Sequence, residues 1–146
     1  MGRVLKYLRL RAAERHLLLK VTLLLWVIRL ALWLLPFRIV RHMVSRFSDL
    51  RVADACSQQN AEAILWAVRL GSRYVSAATC LTQALVGKLL LARRGLDATL
   101  RVGVAFSDSG SLQAHAWLES NGRIVLGGSE VSVQCYTPLA SFDKEV

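Results

Sequence analysis

Proline is nearly absent from the chain, with 2 in 146 residues, and cysteine is scarce, with 3. So few prolines exclude a proline-rich tract, and neither internal repeats nor low-complexity segments are present. Cys56, Cys80 and Cys135 cannot all pair, and no two have C-x-x-C spacing. That argues against a disulfide framework and against a structural zinc site, and a reducing compartment, the cytoplasm, fits best. Acidic residues are sparse early in the chain. Through residue 60, Glu14, Asp49 and Asp54 stand against eleven Lys and Arg, whereas residues 61–146 carry seven acids against eight bases. Residues 1–60 therefore carry +8 of the net charge of +9. No aromatic-and-basic recognition motif accompanies that charge, which counts against nucleic acid. An anionic membrane surface or an acidic partner fits it better. With 54% hydrophobic and 20% charged residues, the chain can bury a core, and its length suits one compact domain with an appendage.

Leu17 to Phe37 is long and apolar enough to suggest a transmembrane helix. Lys20 and Arg29 lie inside it, however, and a central arginine costs about 2.5–3.5 kcal/mol on insertion scales. Positive flanks on both sides specify no orientation. On a helical projection Arg11, Arg15, Thr22 and Arg29 form a narrow polar stripe. Such a helix packs on protein or lies at a membrane interface more readily than it spans a bilayer. Pro36 should end it, with a second short helix over Phe37–Phe47.

Farther on, Asn60 is a candidate N-cap for a helix running to Leu70 and closed by Gly71. Thr79 is a candidate N-cap for the next helix, which Arg93, Arg94 and Gly95 suit as a C-terminus. Cys80 then stands in its first turn. After Gly95 the period becomes alternating. Leu100, Val102, Val104 and Phe106 share one strand face, as do Leu112, Ala114, Ala116 and Leu118 on the next strand, with Gln113, His115, Trp117 and Glu119 opposite. Asn121-Gly122 signals a type I′ hairpin, Arg123–Leu126 the return strand, and Val131–Tyr136 a further strand. Helices followed by antiparallel strands give an α+β fold.

A cysteine needs its thiolate to act as a nucleophile, and a free thiol, with a pKa of about 8.5, is mostly protonated at neutral pH. A helix start supplies unpaired N–H groups and the positive dipole end, both of which favour an anion. An imidazole takes the proton and later returns it to a leaving amine. Cys80 and His115 supply both parts. By pattern alone, an isolated cysteine among apolar neighbours is ordinarily a small buried hydrophobe. His16 and His42 fall in the basic arm as surface groups, and Cys56 and Cys135 lack any such context.

The runs T-C-L-T-Q-A-L-V-G-K-L-L-L-A-R-R-G, A-T-L-R-V-G-V, A-H-A-W-L-E-S-N-G-R-I-V-L-G-G and Y-T-P-L resemble the transglutaminase-like leader peptidases of lasso-peptide biosynthesis, over roughly Ala61 to Leu139. The resemblance implies a transglutaminase-like, papain-like core over residues 51–146 behind a helical arm at residues 1–50, with Cys80 and His115 catalytic. It implies cleavage of the leader from a ribosomally made lasso precursor peptide through a thioester, without metal or cofactor. A small leader-binding recognition protein then delivers the precursor, and a separate ATP-dependent macrolactam cyclase closes the ring. Cytoplasmic location is expected, with peripheral contact at the inner face of the membrane. Many relatives place an aspartate about a dozen residues beyond the histidine, where this chain has Gly127-Gly128. Glu119 is a poor substitute, because four residues along a strand span about 13 Å. Glu130, a backbone carbonyl or water are the remaining candidates for the third group. The missing aspartate also supports a rival reading, a catalytically dead scaffold or binding module.

Overall fold

A computed structural model describes residues 12–48, 58–75 and 79–141. Helix α1 (Ala12–Leu34) ends before Pro36, and α2 (Phe37–Ser48) follows it directly. Helices α3 (Gln58–Gly71) and α4 (Cys80–Arg93) precede strands β1 (Thr99–Phe106), β2 (Leu112–Ser120) and β3 (Arg123–Leu126). A short helix α5 (Glu130–Val133) and strand β4 (Thr137–Ser141) complete the described chain. The sheet is antiparallel in the order β3-β2-β1-β4.

Helix α4 is central. Thr82, Ala84, Leu85, Val86, Leu89 and Leu91 are all buried, so it is covered on nearly every side. It packs on β1, β2 and β3 and is flanked by α1, α2 and α3. Gly87 allows the close approach to the sheet: a Cβ there would lie 3.1 Å from Leu118 Cδ2. Leu100, Ala116, Leu118 and Leu126 form the sheet's side of the same core.

The two N-terminal helices join that core. Val21, Leu25 and Ile28 of α1 and Val40 and Val44 of α2 belong to one buried cluster with α3 and α4. Gly71 is the last residue of α3, and its missing side chain lets α1 approach: a Cβ would meet Thr22 Oγ1 at 3.1 Å and Leu25 Cδ1 at 3.2 Å. Among the described residues α1 is the one helix long and apolar enough to cross a membrane. It nevertheless buries Leu18, Val21, Leu25 and Ile28. At about 1.5–3 kcal/mol for each such side chain, withdrawing them would cost an amount comparable with the whole stability of an ordinary domain.

Several sequence expectations need correction. Helix α3 begins at Gln58, so Asn60 lies inside it and is not its N-cap. The expected strand over Val131–Tyr136 is instead a short helix followed by a strand that starts at Thr137. Ser129 explains the change. Its hydroxyl accepts from Ser132 N at 3.3 Å, which caps a helical turn where alternating apolar residues suggested extension. Phe106 and Leu112, each sharing a strand face with residues that are buried, pair across the loop end of the β1–β2 hairpin and are 77% and 62% exposed. The hairpin signal is realised as expected, with φ of 51° at Asn121 and 73° at Gly122.

Candidate active site

The site begins at the N-terminus of α4. Thr79 adopts extended backbone angles, and its hydroxyl accepts from Thr82 N at 3.3 Å. Its carbonyl accepts from Gln83 N at 3.1 Å. The cap fixes where the helix starts and puts Cys80 at its first position, half-buried against the core. Helix starts leave their first N–H groups without intrahelical acceptors. Thr79 satisfies those of Thr82 and Gln83, and among the described residues no acceptor is seen for those of Cys80 and Leu81.

His115 stands on β2, opposite Gly103 of β1. Its Nε2 bonds to the carbonyl oxygen of Gly127. A carbonyl only accepts, so Nε2 carries the proton and Nδ1 keeps its lone pair. The Tyr136 ring tilts against the imidazole at 5.2 Å between centroids, and the Trp117 indole stacks with it at 6.4 Å.

Trp117 is buried, and Gly103 makes the space: a Cβ there would come within 2.9 Å of the indole. The indole Nε1 donates to Glu119 Oε1 at 2.9 Å, and Arg101 Nε donates to Glu119 Oε2 at 3.0 Å. Glu119 is thus engaged away from His115, in keeping with its distance along the strand.

Gly127-Gly128 accounts for the carbonyl's position. Gly127 has φ of +93° and Gly128 of +127°, both in the region that L side chains avoid. At Gly127 a Cβ would lie 2.7 Å from the carbonyl oxygen of Ala116 and 2.8 Å from Cα of Trp117. At Gly128 it would lie 2.7 Å from Ser132 Oγ and 3.9 Å from His115 Nε2. An aspartate at either position conflicts with this backbone. The turn instead passes so close to β2 that its own carbonyl reaches the imidazole. The side chain of Glu130, the other charged candidate, lies outside the described part of the structure.

Cys80 and His115 line one open groove of about 520 Å³, together with Arg69, Gln83, Gly127, Gly128, Ser132 and Tyr136. Arg69 is anchored there, donating from Nη2 to the carbonyl oxygen of Val125 at 2.6 Å.

A sequence model of the transglutaminase-like superfamily matches residues 24–141. The chain belongs to the transglutaminase-like superfamily. No curated protein and no solved structure gives a match. The transglutaminase-like match begins within α1 and runs to the last residue of β4, so it takes in the helices as well as the sheet. The superfamily includes cysteine proteases and transglutaminases.

Of the residues singled out in the sequence, the structure brings Cys80 and His115 to the same groove. Cys135 is exposed and outside that groove, and Cys56 lies outside the described residues. His16 and His42 are exposed on α1 and α2. Among the described residues no cluster of His, Cys, Asp or Glu could hold a metal ion. Arg69, Gln83, Ser132 and Tyr136 were not foreseen. Gln83 had a usable signal, since i+3 from Cys80 puts it on the same helix face. Arg69 had none, because its place depends on how α3 meets β3.

Proposed function

We propose that the chain is a cysteine peptidase of papain-like arrangement that removes the leader from a lasso-peptide precursor. The observation that carries the peptidase reading is the shared groove, lined by a helix-start cysteine and by an imidazole whose Nε2 is held by the Gly127 carbonyl. With Nε2 held as a donor, Nδ1 is the base that takes the Cys80 proton. The thiolate attacks the scissile carbonyl carbon, and the oxygen that gains charge is met by the N–H groups of Cys80 and Leu81. Nδ1–H then protonates the leaving amine, the C–N bond breaks, and a thioester to the leader remains on Cys80. Water, deprotonated by Nδ1, hydrolyses the thioester and frees thiol and carboxylate.

An open groove suits an extended peptide. The choice of a lasso precursor rests on the resemblance of the C-L-T-Q and A-H-A-W-L-E-S-N-G segments. It brings with it a leader-binding protein for delivery and an ATP-dependent cyclase that uses the freed amine, both in the cytoplasm. The dead-scaffold reading drew its support from the missing aspartate. A carbonyl acceptor at Nε2 supplies the orienting bond that the aspartate would have made, which weakens that reading.

The test is incubation of precursor, leader-binding protein and enzyme, with the leader fragment followed by mass spectrometry. Cys80→Ala and His115→Ala should each abolish cleavage without unfolding, while Cys56→Ala and Cys135→Ala cleave normally. Undiminished cleavage by Cys80→Ala would sink the mechanism.

A further inference from the structure

Helix α1 has two apolar faces. One, with Leu18, Val21, Leu25 and Ile28, is buried in the core. The other carries Leu19, Leu23, Trp26, Val27, Leu30 and Trp33, all large and all exposed, from 49% at Trp26 to 74% at Trp33. At about 100° per residue these six fall within an arc of roughly 120°, nearly opposite the buried face. Arg15 and Arg29 fall along one border of that arc and Lys20 along the other. Helix α2 also exposes Ile39 and Met43.

Beside Lys20 a cavity of about 490 Å³ opens between α1, α3 and the end of α4. Four of its lining side chains are basic or can become so, His16, Lys20, Arg93 and Arg94, and none is acidic. Arg93 also suits the negative end of α4. The convergence of residues from α1 and α4 on one concavity goes beyond what that helix end requires.

We propose that α1 lies in the plane of an anionic phospholipid surface, its exposed face immersed and a lipid phosphate seated in the His16–Lys20–Arg93–Arg94 cavity. Lysine and arginine on both borders of an apolar stripe can keep their charges at the headgroups while their stems lie along the apolar layer. Exposed tryptophans favour that same layer. A second copy is a poor occupant, since each chain carries +9 and self-association would bring like charges together. The four residues buried on the core face keep the helix from spanning. Nothing in this inference rests on Cys80 or His115.

The test uses the full chain with phosphatidylcholine vesicles, with and without phosphatidylglycerol, read by co-sedimentation and tryptophan emission. Binding should require phosphatidylglycerol, weaken with salt and shift the emission to the blue. Trp33→Phe should remove much of that shift. Lys20→Gln and Arg94→Gln should each weaken binding about fivefold. Leu23→Asp with Leu30→Asp should abolish binding at an unchanged melting temperature, and Cys80→Ala should bind as the wild type does. The proposal is overturned by equal binding to phosphatidylcholine alone, by binding without an emission shift, or by no binding at all. A dimer that Leu23→Asp with Leu30→Asp dissolves also overturns it. So does inorganic phosphate that stabilises the protein through Lys20 and Arg94 while both variants bind vesicles normally, since the cavity would then serve a free anion.

Discussion

Replacing Gly127 by alanine perturbs the fold and the proposed site together, and the structure sets the size of the effect. The φ of +93° costs an L residue about 1–2 kcal/mol. The new Cβ would lie 2.7 Å from the Ala116 carbonyl oxygen and 2.8 Å from Trp117 Cα. Both are backbone atoms of β2, so relief requires the turn to move away from the strand, which adds about 1–3 kcal/mol. Gly110→Ala is the matched control: its φ is +76° and nothing lies within 4 Å of the added atom, so only the backbone term applies. The extra cost at Gly127 predicts a melting temperature lower than that of Gly110→Ala by about 3–10 °C for a chain of this size. Moving the turn also withdraws the carbonyl from His115 Nε2. Losing one orienting hydrogen bond, about 1–1.5 kcal/mol, should slow single-turnover leader release about tenfold, measured well below either midpoint. Glu130→Gln, by contrast, should leave the rate nearly unchanged, since the carbonyl already occupies Nε2. Equal melting of the two glycine variants would refute the close approach to β2. A destabilised Gly127→Ala that cleaves at the wild-type rate would remove the carbonyl from the mechanism. A tenfold loss in Glu130→Gln at unchanged stability would name Glu130 in its place.

Thr79→Ala removes the cap of α4 and should lower stability by about 1 kcal/mol in chemical denaturation. Its cleavage rate should fall in fully folded protein too, because Cys80 occupies the first position of that helix; Thr79→Ser should restore both. Burial, reinforced by the charge of Arg41, lowers the Lys88 pKa from its ordinary 10.5. The unfolded chain then holds the Lys88 proton more tightly than the folded one, so this group's contribution to stability rises with pH between the lowered value and 10.5. Denaturation midpoints of wild type and Lys88→Met, compared at neutral pH and near pH 10, should therefore shift in favour of the wild type at the higher pH, and an unchanged gap would contradict the assigned burial.

Local chemistry made much of the chain legible in sequence. Thr79 as a cap, Gly95 as a stop, Pro36 as a break and Asn121-Gly122 as a hairpin each act through their own backbone or immediate neighbours. Their consequences are therefore written in a few consecutive residues. The family motifs likewise singled out Cys80 and His115, and the hydrophobic alternation in β1 and β2 identified the face that holds Leu100, Ala116 and Leu118.

Where separate elements must meet, the sequence was silent or misleading. Ser129 turned an expected strand into a helical turn through a hydrogen bond that outweighed apolar alternation. Phe106 and Leu112 continue the apolar alternation of their strands yet are exposed at the loop end of the hairpin. Lys20 and Arg29 turned the reading of α1 away from a membrane span, but only its contacts with α3 and α4 divide it into a core face and an exposed face. For the third group of the site the sequence favours a backbone carbonyl or water over Glu130, because Gly127-Gly128 frees the backbone to approach, but it does not choose between the two. A missing aspartate and a glycine pair are visible in sequence, but a carbonyl belongs to every residue, so which one reaches the imidazole is not. That of Gly127 became an acceptor for His115 because two glycines at positive φ bring the turn against β2, a distance fixed by packing across the sheet and by no property of residues 127 and 128 alone.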